Sequence, residues 1–185
     1  MKRTVQILLL ALGVLAAQQA MAQSNIGFRR IGASLAYVSP EDIDATFGFG
    51  AFADLGQITP EIQLEPGIEY WSQSEGAYGS EVSIRDISVG ARAKYFFEVQ
   101  NSKIRPFAGG GLGLHFLHAE ASVTLPGFPT VTSEDSETRL GLDLGGGMET
   151  PLSPKVDFHA EAWYGIVSDA SRLALRVGLS TKLGM

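Results

Sequence analysis

The strongest constraint in this chain is an apolar side chain at every second position, sustained through segments of about ten residues. From position 85 to 97, Ile87, Val89, Ala91, Ala93, Tyr95 and Phe97 share one side. Asp86, Ser88, Gly90, Arg92 and Lys94 share the other. Successive side chains of a strand point to opposite faces, whereas the helical period of about 3.6 would mix these two sets around a cylinder. The segment is therefore a strand with one apolar and one polar face.

The same alternation predicts eight strands, over residues 28–38, 45–55, 61–71, 85–97, 104–118, 138–149, 156–167 and 173–183. In 61–71, Ile62, Leu64, Ile68 and Tyr70 stand against Gln63, Glu65 and Glu69. In 104–118, Leu112, Leu114 and Phe116 oppose Gly109, Gly111, Gly113 and His115. Ordinary globular strands run to about 5–6 residues, and a tilted membrane-crossing strand needs about 9–11. The lengths therefore favour an all-β, antiparallel up-and-down barrel that spans a membrane. Pro66 has no ladder donor, so a bulge is expected at Pro66-Gly67.

The connections alternate in kind. Gly56-Gln57, Gln100-Asn101-Ser102 and the Pro151 to Pro154 stretch are expected as tight links. A long polar loop is expected over 119–137, and a shorter one over 72–80. Short turns at one end and long loops at the other are the asymmetry of a membrane barrel, and an even strand count brings both ends of the sheet to the short-turn side.

The first residues read as an address. Lys2 and Arg3 precede an apolar run at 7–17, which closes on Ala20-Met21-Ala22. The run is shorter than the roughly 20 residues a spanning helix needs, and the pattern is that of a secretory signal peptide over 1–22. The domain division is thus a signal peptide, 1–22, and a barrel domain, 23–185. Removing the leader leaves 12 basic and 20 acidic side chains, a net charge of −8. That balance argues against a nucleic-acid partner, which needs a basic face. The absence of cysteine removes disulfides, thiolate metal sites and thiol nucleophiles.

The composition of the two faces indicates which one lines the interior. The polar face mixes glycine with charges of both signs, namely Glu65, Glu69, Arg92, Lys94, Arg105, Asp143, Glu161 and Arg176. An eight-stranded barrel has an interior just wide enough for side chains to fill. A charge facing lipid at mid-depth costs about 2–4 kcal/mol. These eight side chains are therefore expected as a polar network in the lumen. Tyr37, Phe47, Tyr70, Phe116 and Tyr164 fall near the loop end of the apolar face, and Tyr95, Phe97 and Phe158 near the turn end. They are expected as aromatic girdles at the two membrane interfaces. Trp71 and Trp163 fall on the lumen side by parity.

The leader, the Arg105-Pro106-Phe107-Ala108-Gly109-Gly110-Gly111-Leu112-Gly113 stretch and the alternating last strand resemble the OmpA/OmpX-like small outer-membrane β-barrel superfamily. The resemblance implies a structural, surface-interaction or narrow-pore role in the cell envelope, without enzymatic activity or cofactor. It implies the outer membrane of a Gram-negative-type bacterium, after cleavage of the leader. The implied partners are outer-membrane lipids, the barrel insertion machinery and an unknown extracellular partner of the 119–137 loop. Family barrels usually end on an aromatic residue, whereas this chain ends Lys182-Leu183-Gly184-Met185.

Other readings follow from particular residues. Some barrels of this superfamily modify lipid A, and such an enzyme needs an oriented Ser-His-acid set; His118, Glu120 and Ser122 share one side of a strand at the rim. His115 and His118 point to opposite faces, which is poor geometry for a shared metal. His115 and His159 both face the polar side with Glu161 near, where a polar network is the expectation and a metal or acid–base site the alternative. The Gly109 to Gly113 run has no following helix or Lys-Ser/Thr pair, which speaks against a phosphate loop. A soluble secreted barrel with its apolar faces inward around an apolar ligand is the remaining alternative.

Overall fold

A computed structural model describes residues 25–41, 43–77, 80–124, 130–168 and 170–184. The expected leader lies outside the described residues. The strands are β1 (Asn25–Pro40), β2 (Thr46–Thr59), β3 (Ile62–Ala77), β4 (Ser80–Phe96), β5 (Arg105–Val123), β6 (Val131–Pro151), β7 (Val156–Val167) and β8 (Arg172–Lys182). Each pairs antiparallel with the next, and β1 closes on β8 through a ladder from Arg30↔Lys182 to Pro40↔Arg172. Among the described residues no helix is long and apolar enough to cross a membrane. A closed sheet crosses instead, because closure satisfies every backbone donor and acceptor where no water is present.

The apolar faces point outward. Leu35, Phe49, Leu112, Leu140 and Val177 are exposed, whereas Glu65, Lys94, Glu149 and Arg176 are buried. This polarity overturns the soluble-barrel alternative, whose interior would be apolar. Trp71 and Trp163 are buried inside, as parity places them.

Three local expectations change. The 119–137 segment is mostly strand: β5 runs to Val123, β6 starts at Val131, and the ladder pairs Ser122↔Thr132, Glu120↔Glu134 and His118↔Ser136. Residues 72–77 likewise continue β3, paired to β4 as far as Ala77↔Ser80. Gly56 is not the turn after β2. It lies within the strand at φ 84°, and its N–H donates to Asp54 Oδ1 at 2.7 Å. The register between β1 and β2 slips on that stretch, between Ile26 and Arg30. The left-handed conformation there is one that glycine adopts without a Cβ penalty. Finally, the bulge expected at Pro66-Gly67 sits across the ladder. Pro66 pairs in register with Ala91 of β4, and the slip falls between Phe52 and Gln57 of β2. Pro66 has no N–H to offer, and the extra residue is taken up by the neighbouring strand.

Candidate functional site

Stacked layers of charged side chains fill the lumen. Nearest the loop end, Asp86 Oδ2 accepts from Trp71 Nε1 at 3.2 Å and lies 2.9 Å from His115 Nδ1 and 3.3 Å from the Arg172 guanidinium. One layer on, Arg92 donates to Glu69 at 2.7 Å and to Asp143 at 2.8 Å, and Arg176 pairs with Glu69. Next, Lys94 Nζ donates to Glu65 at 2.7 Å and to Glu161 at 2.6 Å, and Trp163 Nε1 donates to Glu161 at 2.7 Å. At the turn end, Arg30 donates to Asp54, Glu149, Asp157 and Gln63 at 2.7–3.0 Å.

Aromatic rings pack between the charged layers. Phe96, Phe107 and Trp163 form a buried cluster, with Lys94 Nζ 4.7 Å from the Phe107 ring centre and Arg92 4.8 Å from that of Trp163. Trp163 fits only because glycine faces it. A Cβ on Gly109 would stand 3.1 Å from its ring and 2.5 Å from the Ala93 carbonyl.

Glu65, Glu69, Arg92, Lys94, Asp143, Glu161 and Arg176 thus meet in the lumen. Arg105 does not: its side chain is 46% exposed at the turn-end rim, 3.6 Å from Glu149 and stacked on Phe96. Sequence reasoning did not single out Arg30, Asp54, Asp86, Glu149, Asp157 or Arg172 for the network. Each lies on the inward parity of its strand, so the signal was present.

The aromatic residues named for the girdles stand on the outer face. Tyr37, Phe47, Tyr95, Phe97, Phe116 and Tyr164 are exposed, and Tyr70 and Phe158 are half-buried. Neighbouring rings touch edge to face, Tyr37 with Phe47 at 5.7 Å and Tyr95 with Phe97 at 5.2 Å between centres.

Replacing Lys94 by Met is expected to lower the unfolding free energy by about 3 kcal/mol. That is the low end of the range for breaking a buried ion pair, because Glu65 and Glu161 can then share one proton. Urea unfolding followed by heat-dependent gel mobility reads it. A loss under about 1 kcal/mol would show that the triad carries no stability.

The histidines fall in separate places. His115 and His159 are both buried, but His115 sits with Asp86 and Arg172 near the loops, and His159 bonds Ser180 at 2.7 Å near the turns. Among the described residues no group of three or more His, Asp or Glu is arranged to hold a metal. His118 bonds Ser136 across the ladder at 2.8 Å. Four residues of strand separate it from Ser122, about 13 Å at roughly 3.3 Å per residue. His118, Glu120 and Ser122 therefore do not form a hydrolytic triad.

At the loop end the sheet continues as a four-stranded tongue. β2 accompanies β3 only as far as Gly48↔Trp71, and β7 accompanies β6 only as far as Gly141↔Val167. Beyond those points, among the described residues, β3, β4, β5 and β6 pair only with one another, leaving two sheet edges. Glu75 lies on the β3 edge, and Glu134, Asp135 and Glu137 on the β6 edge. Charges on an edge oppose uncontrolled strand pairing.

The sequence profile of the outer membrane protein beta-barrel domain matches residues 7–182. Among solved structures, Neisserial surface protein A is 23% identical, covering 84% of this chain and 97% of its own, with a TM-score of 0.57. OprG from Pseudomonas aeruginosa is 14% identical over 88% and 99%, with a TM-score of 0.60. A major outer membrane protein from Thermus thermophilus is 10% identical over 84% and 99%, with a TM-score of 0.64. At these identities the likeness is one of fold. No curated protein matches the chain.

Proposed function

Because this chain belongs to the outer membrane protein β-barrel domain family, we propose that it is a non-enzymatic barrel that plugs its own lumen and works through the tongue it holds above the membrane. The observation that carries this reading is the filled interior. Ion-paired layers from Asp86 to Arg30 cross the whole lumen, and Phe96, Phe107 and Trp163 close what is left. In this reading the barrel is an anchor, its apolar belt is solvated by outer-membrane lipids, and the insertion machinery seats it. The leader at 1–22 directs export and is removed. An extracellular partner of unknown identity meets residues 119–137.

Planar bilayers containing the refolded barrel are expected to show no steady single-channel steps. Regular openings in wild-type protein would overturn the plugged reading. The surface reading has its own test. A short turn in place of 119–137 is expected to preserve the heat-dependent gel shift and to abolish adhesion of expressing cells to host or abiotic surfaces. Unchanged adhesion would overturn it.

A further inference from the structure

The outer surface of the sheet changes character between two neighbouring rows of side chains on β3 to β6. One row runs Tyr70–Ile87–Phe116–Thr138, and the next towards the loops runs Ser72–Arg85–His118–Ser136. Ile87 and Phe116 are exposed and continue the apolar belt of Val89, Leu114 and Leu140. The rows are two residues apart, about 7 Å along the strands at roughly 3.3 Å per residue. The polar row therefore stands just outside the hydrocarbon, at the level of lipid headgroups.

Arg85 is exposed, and among the described residues it forms no ion pair or hydrogen bond. It is also the one guanidinium or ammonium on the loop half of the outer surface among those residues. Arg139 and Arg172 lie on the inward parity, and Arg29, Lys103 and Lys155 stand at the turn end. Beside Arg85, His118 Nδ1 lies 2.8 Å from Ser136 Oγ. When that hydroxyl donates to Nδ1, Nε2 carries the hydrogen and is a second donor in the row. Tyr70, Arg85, Ile87, Phe116 and His118 border one recess of about 480 Å³. Glu137 borders it too, but Arg139 donates to that carboxylate.

The arrangement selects its occupant. A guanidinium recognises phosphate through paired N–H donors, while Ile87 and Phe116 take hydrocarbon. A polyanion such as a sulfated polysaccharide needs a run of cations, and the next row up, Ser74–Ser83–Glu120–Glu134, would repel it. A free phosphate gains nothing from the apolar row. An anionic lipid satisfies both rows at once, and its chains keep it at the level of Arg85. We propose that this recess seats the phosphomonoester headgroup of an outer-leaflet lipid, its phosphate on Arg85 and His118 and its first methylenes on Ile87 and Phe116. The proposal rests on the reading that the tongue stands outside the membrane, and it adds a lipid that fixes the base of the tongue to the leaflet.

Native mass spectrometry of the full barrel in a neutral maltoside detergent tests it, with phosphatidic acid as the probe. One phosphatidic acid per barrel is expected, bound about fivefold more tightly than diacylglycerol of the same chains, the upper end for an exposed ion pair. Arg85→Gln is expected to reduce phosphatidic acid to the level of diacylglycerol, and Arg85→Lys to fall between. Lys103→Gln, at the turn end, is expected to bind as wild type does. Glycerol 3-phosphate, the headgroup without chains, is expected not to displace the lipid. The heat-dependent gel shift verifies that each variant folds. Equal binding of the two lipids, or unchanged phosphatidic acid binding in Arg85→Gln, would overturn the proposal. Loss in Lys103→Gln instead would move the headgroup to the turn end, and displacement by equimolar glycerol 3-phosphate would make the site one for a free anion; either result also overturns it. If the lipid site fails while adhesion still depends on 119–137, the surface role stands; if both fail, the reading beneath is refuted.

Discussion

Substituting Met for Arg30 is expected to cost about 5 kcal/mol of unfolding free energy, the upper end of the range for removing one partner of a buried ion pair. Arg30 lies on β1 and reaches Asp54 on β2, Gln63 on β3, Glu149 on β6 and Asp157 on β7. Its side chain is 7% exposed, and those of the three acids are 9% or less. Methionine fills a comparable volume but leaves three carboxylates facing one another. Arg105, 3.6 Å from Glu149, and Lys182, 3.9 Å from Asp157, remain near but are about half exposed at the rim, and the buried His159 ring stays 3.3 Å from Glu149. Lys94 holds two acids that can share a proton, whereas Arg30 holds three, so the larger loss falls here. Arg30→Lys keeps the charge without the planar fork and is expected to fall between wild type and Arg30→Met. Urea titration of the detergent-refolded barrel measures all three. A Met variant with a wild-type midpoint would mean that the acids find other partners or water.

Gly145→Val is expected to prevent the barrel from closing. A Cβ at Gly145 would stand 2.3 Å from the Ala162 carbonyl oxygen, 2.9 Å from Trp163 Cα and 2.8 Å from its ring. Two of these three obstacles are backbone atoms of β7, which the ladder Gly145↔Trp163 holds in place. Overpacking in a well-filled core typically costs about 1–3 kcal/mol, but relief here would require β7 to leave β6. The expected result is loss of the fast-migrating unboiled band and of the β-rich circular dichroism signal. Gly110 provides the control. It faces outward, and a Cβ there would meet its nearest atoms, the Asp143 carbonyl and a Leu144 methyl, at 3.4 Å, so Gly110→Ala is expected to fold. A folded Gly145→Val would show that β6 and β7 can separate without loss of the barrel.

The tongue shows where local pattern reading stops. Along β5 the outward positions run Leu112, Leu114, Phe116 and then His118, Glu120, Ser122, while the inward ones run His115 and then Leu117, Ala119, Ala121. β4 does the same, from outward Ile87 to Arg85 and Ser83, with inward Asp86 giving way to Ile84 and Val82. The polarity of the two faces inverts where the strands leave the hydrocarbon, because water lies outside the sheet there. Alternation read with one fixed polarity ends the strand at the inversion and turns 119–137 into a loop. Gly56 misled for a related reason, since a left-handed glycine serves a bulge as readily as a turn.

The order of the strands, their orientation and the inward or outward direction of nearly every side chain within the membrane were legible from residue identities. They depend on a two-residue period and on the cost of charge in hydrocarbon, both of which act locally. Which charges meet was decided only by the closed sheet. Arg30 joins Glu149 across 119 residues and Asp157 across 127, and Arg92 joins Asp143 across 51. Such partners share a layer only once the stagger of each ladder and the slips beside Gly56 and Pro66 have set the height of every strand in the barrel. Parity gives direction along one strand, but depth in the lumen comes from the register of all eight.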